Sequence, residues 1–240
     1  IRFLYHHFLS GITKKSLNVF YYACSYAKVD YSNFMNITAR TALKLIPDPL
    51  KTHPVFLCVD DTMVSKSGKK FENVSKLFNH AAHNGSNYLN GHCFVSIMLC
   101  VPVLDHDKIS YLSVPLGYGY RMWQKKESKL ELAASMIRQV MPEFLSKEHV
   151  IILCDSWYTK KNLVSIIDEY PNLDLIGNAR IDSVMYDLAP ERTGRRGRPA
   201  KHGKRLCVET DFTFSKEKIG DYYTGVRRVF TKIFGDREVL

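Results

Sequence analysis

Two short apolar runs in the sequence end in aspartate. The run Val55–Val59 is followed by Asp60 and Asp61, and the run Ile151–Cys154 is followed by Asp155. Carboxylate oxygens are the ligands that Mg²⁺ prefers, and proteins usually hold this ion through one or two carboxylates plus substrate phosphates. An ionised carboxylate beside an apolar strand is also costly unless a partner compensates it. The aspartates therefore predict metal-dependent phosphoryl chemistry, with turn capping after each strand as the alternative.

The elements around these aspartates predict a mixed sheet. Apolar runs over 53–62 and 149–157 are typical of strands buried on both faces. Residues 92–104 and 108–120 are expected to pair as a hairpin across Asp105–Asp107. Further elements are expected as helices over 12–28, 33–46, 125–145 and 159–170, the last capped by Thr159, and as strands over 173–180, 206–214 and 222–234. A hairpin followed by strand–helix units predicts an α/β fold with helices on the faces of a mixed sheet.

The segment Glu191–Arg205, called the basic loop below, is the most basic part of the chain. It holds seven basic residues and one acid among fifteen, and supplies more than half of the net charge of +10. Such concentration favours a polyanionic partner, with a solvated surface loop as the alternative. Within it, Arg195–Pro199 resembles an AT-hook core, whose extended Arg-Gly-Arg fits the narrow minor groove of A·T-rich DNA. The residues expected to contact DNA are Arg195, Arg196, Arg198, Lys201, Lys204 and Arg205.

The cysteines and apolar runs bear on location and metal type. None of the six cysteines forms a Cys-x-x-Cys pair, and four lie in apolar runs, as expected in a reducing compartment. No apolar run has membrane-spanning length, so no membrane partner is expected. His92 and Cys93 open an apolar strand without a second zinc-type pair, so zinc is not predicted. Because the chain starts at Ile1 and stops at Leu240 in a strand-like context, we expect a fragment lacking both ends.

An ordered set of motifs from about residue 54 onward resembles the DDE transposases of bacterial insertion sequences. The motifs are "VDDT" followed by "KSGKK", then "GHCFVSIML", "GYGYRMWQKKESKLELA", "ILCDSWYTKKNLV", "LIGNARIDSVMYDLAP" and "TGRRGRPAKHGKR". The likeness is to the group whose ribonuclease H-like core is interrupted by a β-rich insertion. It implies an α/β fold with a ribonuclease H-like mixed sheet flanked by helices, and an insertion that starts after the fifth strand.

The resemblance also implies a triad of two aspartates and a glutamate that binds Mg²⁺ or Mn²⁺. On the matching motifs the first aspartate is Asp60 and the second is Asp155. Asp61 is the rival for the first place, because strand pleating alone does not say which adjacent acid points at the metal. The family motif that carries the glutamate, near Arg-Trp-x-x-Glu, is absent from this sequence. The third acid is therefore expected beyond Leu240, and this fragment alone is expected to be inactive.

The activity implied by the resemblance is metal-dependent cleavage and strand transfer of DNA at insertion-sequence ends. The implied partners are double-stranded transposon ends and target DNA, bound by a homodimer in the bacterial cytoplasm, in association with the nucleoid. The alternatives are a ribonuclease H-like nuclease without strand transfer and a non-enzymatic DNA-binding remnant. Next to the second aspartate, Trp157 and Tyr158 would either stack on a displaced base or pack beneath the site.

Three parts of the chain are expected. Residues 1–50 form a helical N-terminal segment, and 51–180 form the first part of the ribonuclease H-like core. Residues 181–240 contain the basic loop and the start of the β-rich insertion, with the core left incomplete. A domain that recognises specific DNA ends is expected before Ile1.

Overall fold

A computed structural model describes most of the chain. The described residues are 1–28, 30–68, 70–78, 87–120, 127–144, 148–180, 182–192, 194 and 197–240. Within these ranges, every helix is too short or too polar to cross a lipid bilayer. All six cysteines are free thiols.

The N-terminal helices divide into an exposed group and one packed helix. The exposed group comprises α1 (Arg2–Leu4), a wider helical turn over Tyr5–Leu9, α2 (Ser10–Ile12) and α3 (Leu17–Tyr26), none of which has a buried residue. The packed helix is α4 (Tyr31–Leu43), which begins where the Asp30 carboxylate accepts a hydrogen bond from the Asn33 amide at 3.1 Å. Its residues Met35, Ala39 and Ala42 belong to the main core.

The central sheet has six strands. They are β1 (Val55–Ser65), β2 (Ser75–Phe78), β3 (Tyr88–Asp105), β4 (Lys108–Tyr120), β5 (Val150–Cys154) and β6 (Leu173–Gly177). The order is β2-β3-β1-β5-β6, and β4 also pairs with β3. The first strands pair antiparallel, whereas β1, β5 and β6 run parallel. This arrangement confirms the predicted mixed sheet of the ribonuclease H-like α/β class.

The predicted hairpin of β3 and β4 is present, and its turn has two residues rather than the expected three. His106 and Asp107 have φ of 46° and 63°, between the paired residues Asp105 and Lys108. Two central residues with positive φ make a type I′ turn, whose twist matches that of paired strands. Short polar side chains such as that of aspartate are among those that tolerate this conformation best.

One face of the sheet carries the core. Alternate residues of β1, namely Val55, Leu57 and Val59, are buried together with alternate residues of β3. The helix α5 (Lys129–Val140) covers them with a stripe that includes Ala133 and Ile137. Because side chains alternate across a strand, the hydrophobic alternation of β1 decides which of its residues face the helices.

The opposite face of the sheet is more open. Met98 is 38% exposed and Ile176 is 57% exposed. On the same face, Cys58 and Cys100 place their sulfur atoms 3.8 Å apart. Burial, together with the neighbouring Cys100, raises the pKa of Cys58 to about 12, so this thiol stays protonated at neutral pH.

Short elements follow the core strands. After β5 come α6 (Lys161–Val164) and a 3₁₀ segment over Ser165–Glu169. The predicted cap at Thr159 is wrong: Lys160 occupies the N-cap position, and the Thr159 hydroxyl donates to the Asn178 carbonyl oxygen at 2.6 Å. Thr159 is therefore used to hold the end of β6 rather than to cap a helix.

The insertion contains small sheets. Its elements are β7 (Met185–Tyr186), α7 (Val208–Asp211), β8 (Lys218–Ile219), β9 (Tyr222–Tyr223), β10 (Arg227–Thr231) and β11 (Gly235–Val239). Strands β11, β10 and β7 form one antiparallel sheet, called the insertion sheet below. The strand predicted over 206–214 is wrong, because the Asp211 carboxylate accepts from the Cys207 amide at 2.9 Å and closes a helical turn. The strand predicted over 222–234 is present as β9 and β10.

The core packing makes Leu57 a sensitive position. Leu57 is fully buried, so Leu57→Ala should lower the free energy of unfolding by about 2–5 kcal/mol, through lost transfer energy and a cavity. Leu104, 55% exposed at the end of β3, serves as a matched control, and Leu104→Ala should cost about 0.5 kcal/mol or less. Urea denaturation of both variants measures the difference, and equal losses would contradict this assignment of the core.

Candidate active site

The register of the parallel strands brings Asp60 and Asp155 to neighbouring positions. The last residue pair between β1 and β5 is Val59 with Cys154. Asp60 and Asp155 are the next residues on each strand, and paired strands lie about 4.8 Å apart. Asp155 follows the end of β5, whereas β1 continues past Asp60 to Ser65. The two aspartates therefore lie side by side where the parallel pairing ends, toward the carboxyl ends of the parallel strands, which is where ligands bind in open α/β sheets.

Asp60 faces outward at this edge. It is exposed, on the opposite side of β1 from Val59 and the helices. One carboxylate oxygen, Oδ1, accepts a hydrogen bond from the Asp61 amide at 2.7 Å. No ion pair joins it to a lysine or arginine of the described chain. Asp60 thus presents negative charge and a second carboxylate oxygen to solvent.

The sequence suggested two roles for Asp155, as a turn cap or as a metal ligand, and its surroundings are compatible with both. Its Oδ1 accepts from the amides of Trp157 and Tyr158 at 3.0 and 3.3 Å, so the side chain does close the turn after β5. The residue is nevertheless exposed. Burial, together with the Asp155 charge, raises the pKa of the preceding Cys154 to about 11. Turn capping uses one oxygen of Asp155 and leaves the other directed away from those amides.

Asp61 lies in a different environment from Asp60. Its side chain is only 12% exposed, and both carboxylate oxygens lie 2.8 Å from Lys129 Nζ. The Tyr158 hydroxyl donates to it at 3.1 Å, and the Cys93 thiol donates at 3.3 Å. Because Asp61 shares the inward face with Val59, its charge is compensated by partners inside the protein.

Lys129 is placed by the start of α5. Ser128 and Glu131 form a reciprocal capping box, in which Ser128 Oγ accepts from the Glu131 amide and Glu131 accepts from the Ser128 amide. These bonds lower the pKa of Glu131, so the cap is fully formed at neutral pH. Lys129, the first residue inside the helix, is 14% exposed at its side chain. The cap therefore fixes the helix end from which Lys129 reaches Asp61.

The residues after Asp155 complete this network. Tyr158 is fully buried. Burial and the nearby Asp61 charge raise the pKa of Tyr158, which keeps its hydroxyl a hydrogen-bond donor. Two ammonium groups lie near the Trp157 ring, with Lys129 Nζ at 4.0 Å and Lys160 Nζ at 4.3 Å from its centroid. Tyr158 thus packs beneath the site, and Trp157 carries two cations beside it.

The carboxylates of Asp60 and Asp155 fit a hard divalent cation. Both offer oxygen donors, both are exposed, and they lie at one edge of the sheet. These are the donors that Mg²⁺ or Mn²⁺ takes in combination with water and phosphate oxygens. Across the ranges that the structure describes, no three His, Cys, Asp or Glu side chains gather into a larger metal-binding group.

The basic loop is partly anchored to the insertion sheet. Arg198 and Lys201 are exposed, whereas Arg195 and Arg196 lie outside the described residues. Lys204 forms an ion pair with Asp211 at 2.7 Å, and Arg205 forms a β-bridge with Tyr186. The His202 ring lies 3.9 Å from that of Tyr186. Residues 203–205 are therefore held against β7 by backbone hydrogen bonds.

The three side chains that contact Asp61 were not foreseen in the sequence analysis. Lys129, Tyr158 and Cys93 contact Asp61, yet each lies far from it in sequence. One signal was available: two adjacent acids on a buried strand must point to opposite faces, so one of them needs an internal cation. The identity of that cation depends on how α5 packs, which local pattern does not give.

Comparison with known proteins gives a family match and two distant structural similarities. The sequence profile of a family described as DDE superfamily endonuclease matches residues 24–224. No curated protein is similar enough in sequence to count as a relative.

Among solved structures, a chain of the piggyBac transposase synaptic complex with hairpin DNA is 15% identical. The similarity covers 53% of this chain and 23% of that one, with a TM-score of 0.34. A chain of the Mos1 strand transfer complex is 11% identical over 69% of this chain and 50% of that one, with a TM-score of 0.27. The present chain therefore spans about a quarter and a half of those chains.

The Asp61–Lys129 ion pair should contribute strongly to the free energy of unfolding, and the contributions of the two residues should depend on each other. Lys129→Met leaves a carboxylate in a largely buried position, which should cost about 3 kcal/mol in the free energy of unfolding. Asp61→Asn should also destabilise the fold, and the double variant should lose less than the two single losses combined, by at least about 1 kcal/mol. Urea denaturation provides the four free energies.

The exposed ion pair between Lys51 and Asp48, with its charged atoms 2.6 Å apart, offers the control. Lys51→Met should leave the denaturation midpoint unchanged, because exposed pairs contribute little. Strict additivity of the Asp61 and Lys129 variants would show that the two side chains do not stabilise each other.

Proposed function

The chain belongs to the DDE superfamily endonuclease family, and we propose that it cleaves DNA as the catalytic part of a transposase. The proposed reaction is hydrolysis of a phosphodiester bond at a transposon end, followed by strand transfer into target DNA. The observation that carries the proposal is the pairing of Val59 with Cys154, which sets Asp60 and Asp155 side by side at the carboxyl edge of the sheet.

We assign Asp60 and Asp155 as the ligands of Mg²⁺ or Mn²⁺. The exposure of both side chains supports this assignment. For Asp61 we propose a positioning role, because Lys129, Tyr158 and Cys93 already occupy its carboxylate. A cation that replaced Lys129 would have to reach a side chain that is only 12% exposed.

The chemistry follows from charge and orientation. A divalent cation bound at this edge would supply Lewis acidity to a phosphoryl oxygen and lower the pKa of a coordinated water. The protein groups around it then have separate tasks. Asp60 and Asp155 provide the anionic ligands, and the amides of Trp157 and Tyr158 orient Asp155. Lys160, held over Trp157, provides positive charge toward an approaching phosphate.

Double-stranded DNA, both transposon end and target, is the proposed substrate. Arg198 and Lys201 of the basic loop are exposed cations that support phosphate contact, and we extend this role to Arg195, Arg196, Lys204 and Arg205. A homodimer on DNA and action in the bacterial cytoplasm at the nucleoid are part of the same proposal.

Neutralising either ligand should abolish cleavage. In the intact protein, Asp60→Asn and Asp155→Asn should each reduce cleavage of labelled transposon ends by at least about 10³-fold, since metal catalysis supplies several kcal/mol. DNA binding, measured in EDTA, should remain nearly unchanged. Asp105→Asn removes the same charge at the opposite edge of the sheet and should leave cleavage intact. Wild-type cleavage by Asp155→Asn would reduce that residue to a turn cap.

Metal specificity separates the two adjacent aspartates. Asp60→Cys should be inactive with Mg²⁺ and regain part of its cleavage activity with Mn²⁺, because thiolate ligands tolerate the softer ion better. Asp61→Cys should gain nothing from Mn²⁺ if Asp61 is only a positioning residue. Rescue of Asp61→Cys together with no rescue of Asp60→Cys would reverse the assignment.

The basic loop should favour A·T-rich DNA if its Arg195–Pro199 segment enters the minor groove. Replacing Arg196 and Arg198 together by alanine should then weaken binding more on an A·T-rich duplex than on a G·C-rich duplex of equal length. Fluorescence anisotropy at fixed salt measures both. Equal losses would leave only backbone contact, and no loss on either duplex would make the loop a solvated surface segment.

A further inference from the structure

A groove runs from the proposed active site to the insertion sheet. Its volume is about 610 Å³. Its lining includes Ser156 and Thr159, one and four residues after Asp155, and Thr231 and Phe234, at the end of β10 and in the turn that follows it. The Arg237 guanidinium donates to the Asp168 carboxylate and so ties β11 to the segment after α6. The groove is therefore framed by the core on one side and by the anchored insertion sheet on the other.

The rim of the groove is positively charged. Lys160, Lys161, Arg180 and Lys232 line it, against the single acid Asp182. Asp182 is itself paired with Arg180 at 3.0 Å. Over the described part of the chain, none of the three lysines has a carboxylate within ion-pair distance. These cations come from three separate parts of the chain, so the fold gathers them into one place.

The same groove also has an apolar part of its lining, called the floor below. Val184, Tyr186, Ile233 and Phe234 line it. Ile233 is 40% exposed, although it lies beside cations that face water. Cations beside an apolar and aromatic surface are the combination that binds single-stranded nucleic acid, because lysines contact the backbone while bases stack on aromatic rings.

We propose that this groove binds an unpaired stretch of DNA and leads its backbone toward Asp60 and Asp155. The inference rests on the proposed function, because that function makes Asp60 and Asp155 the place to which the strand leads. It deepens the proposed function by specifying that the bound DNA is single-stranded. A duplex hides its bases within the stack, so it would use the lysines and leave the floor in contact with water. An unpaired strand uses both surfaces. The chemistry recognised is thus a row of phosphates with exposed base faces.

Charge removal in the groove tests the backbone interaction. The variant Lys161→Gln with Lys232→Gln should weaken binding of a fluorescein-labelled oligothymidylate in EDTA, measured by anisotropy from 50 to 300 mM salt at about physiological pH. The slope of log affinity against log salt should fall by about 0.7 for each phosphate that is no longer neutralised. Both lysines are exposed, so folding should be unaffected.

A matched pair of lysines provides the control. Lys51→Gln with Lys108→Gln removes the same charge at the opposite edge of the sheet and should leave the slope unchanged. Equal slope changes in the groove variant and the control variant would mean that only the overall charge matters, and would refute the proposal that the groove binds DNA. If the groove variant loses as much affinity for a duplex as for the oligothymidylate, the preference for single-stranded DNA is refuted.

Cross-linking locates the strand directly. Oligonucleotides that carry 5-iododeoxyuridine should, on irradiation, cross-link to peptides that contain Tyr186 or Phe234. Cross-links confined to 192–205 would assign the strand to the basic loop and overturn the groove.

The two proposals fail separately. If Asp60→Asn abolishes cleavage while the groove variants bind normally, the catalytic proposal stands and the groove does not. If the groove variants lose binding while cleavage is insensitive to Asp60→Asn, the reverse holds.

Discussion

An ionised carboxylate on the core side of β1 is the constraint around which the site is arranged. Asp61 is nearly buried, and it remains charged at low cost only while Lys129, Tyr158 and Cys93 keep their places. Those residues come from α5, from the turn after β5 and from β3. One carboxylate therefore fixes three elements relative to one another, and the turn that it fixes is the one that begins at Asp155.

Local pattern was sufficient for the parts of the fold that depend on alternation and turns. The apolar runs that became β1 and β5, the hairpin at His106 and the stripe of α5 all follow from side-chain periodicity. It failed where a side chain decided the backbone, as at Asp211, which turned an expected strand into a helical turn. At the site, the sequence predicts that Asp60 and Asp155 meet. It does not reveal the partners of Asp61, because those contacts join residues 32 to 97 positions apart.

The division of surfaces suggests a division of tasks in DNA recognition. If the groove binds DNA as proposed, its lysines and apolar floor would contact phosphates and any base alike, and would position a strand without reading its sequence. Sequence preference requires contacts to base edges or to the shape of the DNA grooves. On the proposed function, selectivity would come from the basic loop or from parts of the protein outside this core.

The alternation of Asp60 and Asp61 on one strand has a consequence for how this protein can evolve. A slip of one residue in the pairing of β1 would exchange the faces of the two carboxylates. Asp60 would then face inward, away from its proposed metal ion, and the core residues before it would turn toward water. Single-residue insertions and deletions before Asp60 should therefore be eliminated from descendants of this sequence. The strand would carry a fixed spacing through lineages in which its apolar residues are exchanged only for others of similar size.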